Sequence, residues 1–188
     1  MRLQPRWALF ISGQGSNMSA VLDQNRDKGT VALVVSSSPT NFGLKRARRL
    51  GIPTLVLDKK IDWTQLQQQL EGFGISHIFL LGFMKIVPQS FLQKWTRPIL
   101  NVHPSLLPSY PGLNSFQRAY DDKSPLGVTV HHVIPDVDAG AIVMQKEVIE
   151  STESTSKFRE DRRLIEQRVH HVEYHLVRKT MMVAACWM

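Results

Sequence analysis

The sequence predicts an α/β fold: a mostly parallel, twisted sheet with a C-terminal antiparallel extension and a final helix. Short, continuous apolar segments alternate with segments of helical character over the first hundred residues. Such apolar runs are typical of parallel strands, which helices cover on both faces. The alternation stops near Gly127, where two apolar segments flank a turn-like stretch. No low-complexity linker or internal repeat interrupts the chain, so we expect one domain over residues 1–188.

The elements follow from apolar runs and the glycines and prolines that bound them. Parallel strands are predicted at Trp7–Ile11, Val31–Val35, Thr54–Leu57, Ile78–Leu81 and Ile99–His103. Helices are predicted at about Asn17–Asp27, Gly43–Leu50 and Trp63–Leu70. The antiparallel extension is predicted from Val128–Val133 and Ala141–Met144, and the final helix at about Ser156–Lys179. Repeated strand–helix units of this kind indicate a parallel sheet.

The charge is basic and unevenly distributed. The net charge is +7, and residues 1–50 contain eight Lys and Arg side chains against Asp23 and Asp27. This bias favours an anionic ligand near the N-terminal elements, although a solvated basic helix face around Lys45–Arg49 explains it equally well. Interleaved aromatic residues, a recognition helix and zinc-finger spacing are missing from the sequence, so we expect no nucleic-acid partner.

The composition is that of a cytoplasmic protein. No apolar run approaches the roughly 18 residues that span a bilayer, so we expect no membrane partner. Cys186 is the sole cysteine, and one cysteine cannot form an intramolecular disulfide. We therefore expect a cytoplasmic monomer or homodimer.

The segment that begins at Asn101 is the strongest candidate for a catalytic site. Asn101 and His103 lie two positions apart on the predicted fifth strand, so alternation puts both side chains on one face. Pro104 ends that strand because it lacks a backbone donor and has a restricted φ. Asp138 stands in the turn before Ala139 and Gly140, where a purely structural turn residue is the alternative. An amide, an imidazole and a carboxylate together suit acid–base chemistry on a carbonyl.

The first strand is followed by a glycine-containing turn, Ser12–Asn17, which opens a predicted helix. Glycine lets the backbone approach a ligand, and amides at a helix N-terminus favour a phosphate. The turn is neither a Walker A loop nor a complete dinucleotide-binding fingerprint. A tight turn with a helix cap is the alternative. In doubly wound sheets ligands bind at the carboxyl ends of strands, so we expect the loops after strands one, four and five to converge.

The remaining histidines do not form a metal-binding pattern. His131 and His132 are adjacent on a strand and point to opposite faces, so they cannot chelate one ion together. His171 and His175 have helical spacing, but Glu173 is one position away from the place that a zinc-protease motif requires. We expect no metal.

Four segments resemble the folate-dependent formyltransferases. Ile11–Asn17 is similar to the family's phosphate loop, and Leu81–Ile86 to its folate-pocket segment. Asn101–Gly112 is similar to its signature, and Gly127–Gly140 to the stretch with its catalytic aspartate. The similarity extends over about residues 7–180, and the first turn resembles the branch that acts in purine synthesis. The resemblance implies a Rossmann-like formyltransferase fold and formyl transfer from 10-formyltetrahydrofolate, as co-substrate, to glycinamide ribonucleotide.

The resemblance also implies roles for particular residues. Asn101 would donate to the oxyanion, His103 would assist it and the proton movement, and Asp138 would hold and polarise the imidazole. Substrate would be bound by Gly15, Ser16, Asn17 and Glu173, and folate by Met84, Lys85, Ile86, Val87, Asn101 and Ile134. Two alternatives remain open at this stage. One is formyl transfer to another amine, such as an amino sugar or methionyl-tRNA, and the other is a non-catalytic folate- or nucleotide-binding module.

Overall fold

The computed structural model describes residues 4–22, 30–149 and 161–184. The strands are β1 (Trp7–Ile11), β2 (Val31–Ser36), β3 (Thr54–Val56), β4 (His77–Leu80), β5 (Ile99–His103), β6 (Leu126–His132) and β7 (Ile142–Ile149). The helices are α1 (Ser16–Leu22), α2 (Phe42–Arg49), α3 (Trp63–Gly72), α4 (Gln89–Lys94), α5 (Ser115–Asp121) and α6 (Arg162–Ala184).

The strands form a seven-stranded sheet in the order β3-β2-β1-β4-β5-β6-β7. β1 pairs in parallel with both β2 and β4, and β2 pairs in parallel with β3. β6 and β7 pair antiparallel, with Val130 opposite Met144. The predicted fold class, a mostly parallel sheet with a C-terminal antiparallel pair and a final helix, is confirmed.

Residue contacts divide the chain into two compact units. The first contains the described residues up to Leu100 together with Val183 and Ala184, and the second runs from Asn101 to Met182. The prediction of one domain over residues 1–188 stays a prediction. Across the described ranges, we find no helix with the length and apolar character that a membrane span requires.

The core of the first unit is built on β1, whose five residues are all buried. Trp7 packs against His77 and Phe79 of β4 at ring-centroid distances of 4.7 and 5.7 Å. Burial of a whole strand removes apolar surface on both faces from water, which is why parallel strands are apolar throughout. The continuous apolar runs therefore located these strands to within one or two residues.

Side-chain caps determine where two helices of the first unit begin. Asn41 Oδ1 accepts from the amide of Gly43 at the start of α2. Asp62 Oδ1 accepts from the amides of Thr64 and Gln65 at the start of α3. Each cap satisfies amides that the first helical turn leaves without a partner. The α3 helix continues two residues beyond its predicted end, to Gly72.

The structure also contains elements that the pattern did not predict. α4 and α5 were not predicted, because each short helix buries only one or two side chains and so carries little periodic signal. β7 was predicted to end at Met144 but continues to Ile149, because its pairing with β6 extends along that length. Its side chains are mostly exposed or half-buried, so the sequence has no apolar alternation that predicts the full length of β7. Two predicted segments lie outside the described residues. They are the start of the final helix, at 156–160, and the end of the first helix, at 23–27.

Candidate active site

The end of β5 carries the first two candidate residues. Ile99, Leu100 and Val102 are buried, His103 is also buried, and Asn101 is half-buried. All further members of this cluster belong to the second compact unit, which begins at Asn101.

Asp138 lies at the centre of the site, and its carboxylate meets four nitrogen atoms. Oδ2 accepts from the Gly112 amide at 2.8 Å and lies 3.3 Å from His103 Nδ1. Oδ1 accepts from Asn101 Nδ2 at 3.3 Å and lies 3.4 Å from His131 Nε2. The structure thus places the three side chains singled out from sequence in one cluster, around a carboxylate that is 11% exposed.

These partners keep Asp138 ionised. Burial by itself raises the pKa of this carboxyl, because a buried charge loses its hydration. The hydrogen bonds with His131 and the Gly112 amide, and the charges of His103 and His131, outweigh burial and lower the pKa to about 2. The cluster therefore holds a negative charge at any pH near neutrality.

Each ring nitrogen of His103 lies near an oxygen atom. Nε2 lies 3.0 Å from the Tyr110 carbonyl oxygen, which can only accept, so Nε2 carries a proton and donates it. Nδ1 faces the carboxylate of Asp138. Tyr110 and Asp138 both have a left-handed backbone, with φ of 54° and 53°. Such a conformation destabilises the fold by roughly 1–3 kcal/mol at a non-glycine residue. It places the Tyr110 carbonyl and the Asp138 carboxylate next to His103.

A buried threonine holds the loop that supplies Tyr110 and Gly112. Thr129 Oγ1, on β6, donates to the Ser105 carbonyl at 2.7 Å and accepts from the Leu107 amide at 3.1 Å. Ser105 Oγ in turn donates to the Ser109 carbonyl at 2.7 Å. The loop approaches β6 so closely that a Cβ at Gly127 would clash with Leu106 Cδ2. This close packing fixes the backbone groups that bind the Asp138 carboxylate and the His103 ring.

His131 is a member of the cluster that sequence reasoning missed. It was considered only as a metal ligand beside His132, yet its buried ring contacts both Asn101 and Asp138. The signal that could have located it is alternation on β6, which puts His131 on the same face as Thr129. Across residues 4–22, 30–149 and 161–184, no group of three or more His, Cys, Asp or Glu side chains is arranged to hold a metal ion.

The glycine turn lies in the first unit, between β1 and α1. Gly15 has φ of 74°, and its carbonyl accepts from the Ser19 amide at 2.8 Å. A Cβ at Gly15 would lie 3.3 Å from Gly43 Cα, so a side chain there strains both the backbone and its packing. Ser16 is exposed and Asn17 is buried, so the Ser16 hydroxyl stands at the surface of the turn.

The predicted folate segment is joined to that turn through Ser12. Ser12 Oγ accepts from the Met84 amide at 2.9 Å and from Ser37 Oγ at 2.7 Å. Met84 and Ile86 are 69% and 79% exposed, and Lys85 is exposed as well, whereas Val87 is buried. Exposed apolar side chains next to one another are typical of a surface that a ligand covers. In the second unit Ile134 is 39% exposed.

Glu173 is buried on α6 and bonds to a histidine of its own helix. Its Oε2 lies 2.9 Å from His170 Nδ1, one turn earlier. The hydrogen bond with Glu173 raises the pKa of His170, burial lowers it, and the charges of Glu173 and Glu166 raise it further. The net result is a pKa above the ordinary 6.5. Glu173, predicted to bind substrate, thus forms a carboxylate–imidazole pair in this structure.

Replacing Glu173 by glutamine is expected to lower the pKa of His170, because the acceptor charge that favours the imidazolium is lost. A raised pKa means that the pair stabilises the fold at low pH and that this contribution is lost as the pH rises through that pKa. An NMR titration of the His170 ring measures the shift. His171, whose Nδ1 bonds to the Gln167 carbonyl, serves as the internal reference. The same His170 pKa in the variant and the wild type would contradict the assignment of the raised pKa to the Glu173 carboxylate.

Comparisons with known proteins identify the family of this chain. A family model described as formyl transferase matches residues 5–181. Phosphoribosylglycinamide formyltransferase of Haemophilus influenzae is 38% identical over 151 residues, which cover 75% of this chain and 71% of the relative. The human trifunctional purine biosynthetic protein adenosine-3 is 37% identical over 183 residues, 92% of this chain, and the match spans 18% of that longer protein.

Solved structures show the same likeness. The phosphoribosylglycinamide formyltransferase of Anaplasma phagocytophilum superposes with a TM-score of 0.87 at 33% identity, over 97% of this chain and 88% of that one. The corresponding enzyme of Coxiella burnetii gives 0.86 at 27% identity, over 98% and 89%. With a family model that matches nearly its whole length, this chain belongs to the formyl transferase family.

Proposed function

We propose that this protein transfers a formyl group from 10-formyltetrahydrofolate to the amine of glycinamide ribonucleotide, a step of purine biosynthesis, in the cytoplasm. The observation that carries the proposal is the Asp138 carboxylate, ionised and bound by Asn101 and His103 at the end of β5. Membership of the formyl transferase family and the named relatives support the same reaction.

The reaction forms one bond and breaks one. The substrate amine attacks the formyl carbon, and the resulting tetrahedral intermediate carries an oxyanion. The intermediate collapses by breaking the bond from that carbon to the folate nitrogen, while a proton passes from the attacking amine to the departing nitrogen. Atoms and charge balance with no metal and no covalent formyl-enzyme.

Three members of the cluster have a role in this step. Asn101 donates an amide proton to the oxyanion, and His103 assists both the oxyanion and the movement of the proton. Asp138 holds the His103 ring through Nδ1. Because the Asp138 pKa is about 2, this carboxylate is ionised near neutral pH. His103 thus works beside a negative charge.

Substrate and folate binding are assigned to separate sets of residues. Gly15, Ser16 and Asn17 bind the substrate phosphate and ribose, since their turn offers backbone amides and a surface hydroxyl. Glu173 binds the sugar hydroxyls. The folate is held by Asn101 and by residues of the two segments with exposed apolar side chains, namely Met84, Lys85, Ile86, Val87 and Ile134.

The test is an assay of the purified protein with 10-formyltetrahydrofolate and glycinamide ribonucleotide, followed by folate absorbance. Turnover that requires glycinamide ribonucleotide is the expected result. Turnover with an amino sugar or methionyl-tRNA, and none with glycinamide ribonucleotide, would show that the proposed acceptor is wrong. Folate binding without any turnover would identify a binding module.

Ser16→Ala is expected to weaken ribonucleotide binding about tenfold, because it removes a hydrogen bond to a charged phosphate. The Ser16 side chain is exposed, so its removal leaves the fold unaffected. A substitution at Gly15 would instead strain the backbone. Dissociation constants for the ribonucleotide and the folate are measured by calorimetry. Ser19→Ala, on the same helix, is the control. Equal weakening of both ligands in Ser16→Ala would remove Ser16 from the phosphate site.

A further inference from the structure

The His131 ring has a defined position for its proton. Nδ1 lies 2.9 Å from the backbone carbonyl oxygen of His132, and a carbonyl can only accept. Nδ1 therefore carries the proton and donates it. In the neutral ring, Nε2 then has a free lone pair and acts as an acceptor. The side chain is 2% exposed, so the ring has little access to water as an alternative partner.

The partner of that lone pair is the amide of Asn101. Asn101 Nδ2 lies 3.1 Å from His131 Nε2 and 3.3 Å from Asp138 Oδ1. Nδ2 has two protons, and this geometry offers one acceptor to each. The reverse orientation of the amide would place its oxygen against the Asp138 carboxylate, which is repulsive. The Asn101 amide is thus held from two sides.

His131 Nε2 also lies 3.4 Å from Asp138 Oδ1. It can donate to this oxygen only when Nε2 carries a second proton, because both atoms are otherwise acceptors. That contact belongs to the cationic ring, whereas the shorter contact with Asn101 belongs to the neutral ring. One ring nitrogen therefore has two mutually exclusive partners, and both are groups of the proposed reaction.

We propose that His131 is a positioning residue for Asn101: its neutral ring, protonated at Nδ1, accepts an Asn101 amide proton at Nε2 and holds the amide for the oxyanion. The inference rests on the proposed function for its catalytic consequence alone. The bond to His131 is weaker than the bond to the charged Asp138, so it is the one that gives way to a developing oxyanion. The bond to Asp138 keeps the amide oriented while the other amide proton passes from His131 to the oxyanion, so the donor needs little reorganisation.

Two substitutions separate this role from a structural one. Glutamine reaches the position of Nε2 and keeps an acceptor for Asn101, whereas asparagine reaches the position of Nδ1 and keeps a donor for the His132 carbonyl. We expect His131→Gln to retain kcat within about threefold and His131→Asn to lose about tenfold, the value of one neutral hydrogen bond. KM should change little in both. His132→Gln, which changes the neighbouring imidazole, is the control and should keep wild-type kcat.

The reverse order, an active His131→Asn and an impaired His131→Gln, would overturn the proposal in favour of a structural bond to His132. A second measurement does not depend on activity or on the stability of a variant. Long-range nitrogen–proton NMR of the wild-type protein, at a pH where the ring is neutral, identifies which nitrogen is protonated. We expect Nδ1, and a proton on Nε2 would overturn the proposal. If the wild-type protein shows no formyl transfer, the proposed function fails, while the NMR experiment still decides how His131 is placed.

Discussion

Replacing Asn101 by alanine lowers kcat by about 100- to 1,000-fold, the range for loss of one oxyanion donor. The dissociation constants of both substrates change much less, because this hydrogen bond strengthens only as the oxyanion develops. Steady-state kinetics give kcat, and calorimetry gives the two dissociation constants. A variant that keeps more than half of the wild-type kcat would remove Asn101 from the mechanism.

The matched variant is Asn101→Asp, which has nearly the same volume but no amide protons. Its carboxylate faces Asp138, so it loses the donor and adds a repulsion. Both Asn101 variants should therefore lose at least about 100-fold in kcat. Thermal unfolding shows whether each variant is folded. An active Asn101→Asp would mean that a donor at this position is not required.

Replacing Asp138 by asparagine lowers kcat by roughly 100-fold or more, since the His103 ring loses the charge beside it. The new amide also brings protons of its own against groups that donate to the carboxylate in the wild type, namely the Gly112 amide and the Asn101 side chain. Glu147→Gln, which neutralises an exposed carboxylate on β7, is the control for loss of net charge. An Asp138→Asn enzyme with near wild-type kcat would reduce Asp138 to a turn residue.

The same variant changes how stability depends on pH. The pKa of Asp138 is lowered from 3.8 to about 2, so its charged form stabilises the fold, fully so above pH 4. This contribution is lost as the pH falls from about 4 to 2, and it amounts to at most about 2 kcal/mol. Urea unfolding at several pH values should show that decline in the wild type and in Glu147→Gln but not in Asp138→Asn. An identical decline in Asp138→Asn would contradict the lowered pKa.

The strands and the first two members of the site could be predicted from local pattern. β1 and β5 have the predicted bounds, because each is a short apolar run between residues that interrupt pairing. Alternation on β5 placed Asn101 and His103 on one face. By contrast, α4 and the end of β7 carry mostly exposed side chains, and α5 buries only Ser115 and Ala119, so these segments have no apolar periodicity that sequence analysis could detect.

The sequence by itself determined the features that depend on neighbours along the chain. These are the order of strands and helices, the glycine turn after β1, and the asparagine and histidine of β5. Only the tertiary structure decided which distant groups meet. Asp138 lies 37 residues beyond Asn101, and its contacts depend on a loop that Thr129 holds from another strand. His131 is adjacent in sequence to a histidine with which it cannot chelate a metal, yet it contacts the Asn101 amide. Such contacts depend on the register between strands and on backbone conformations at Tyr110 and Asp138 that packing imposes against local preference.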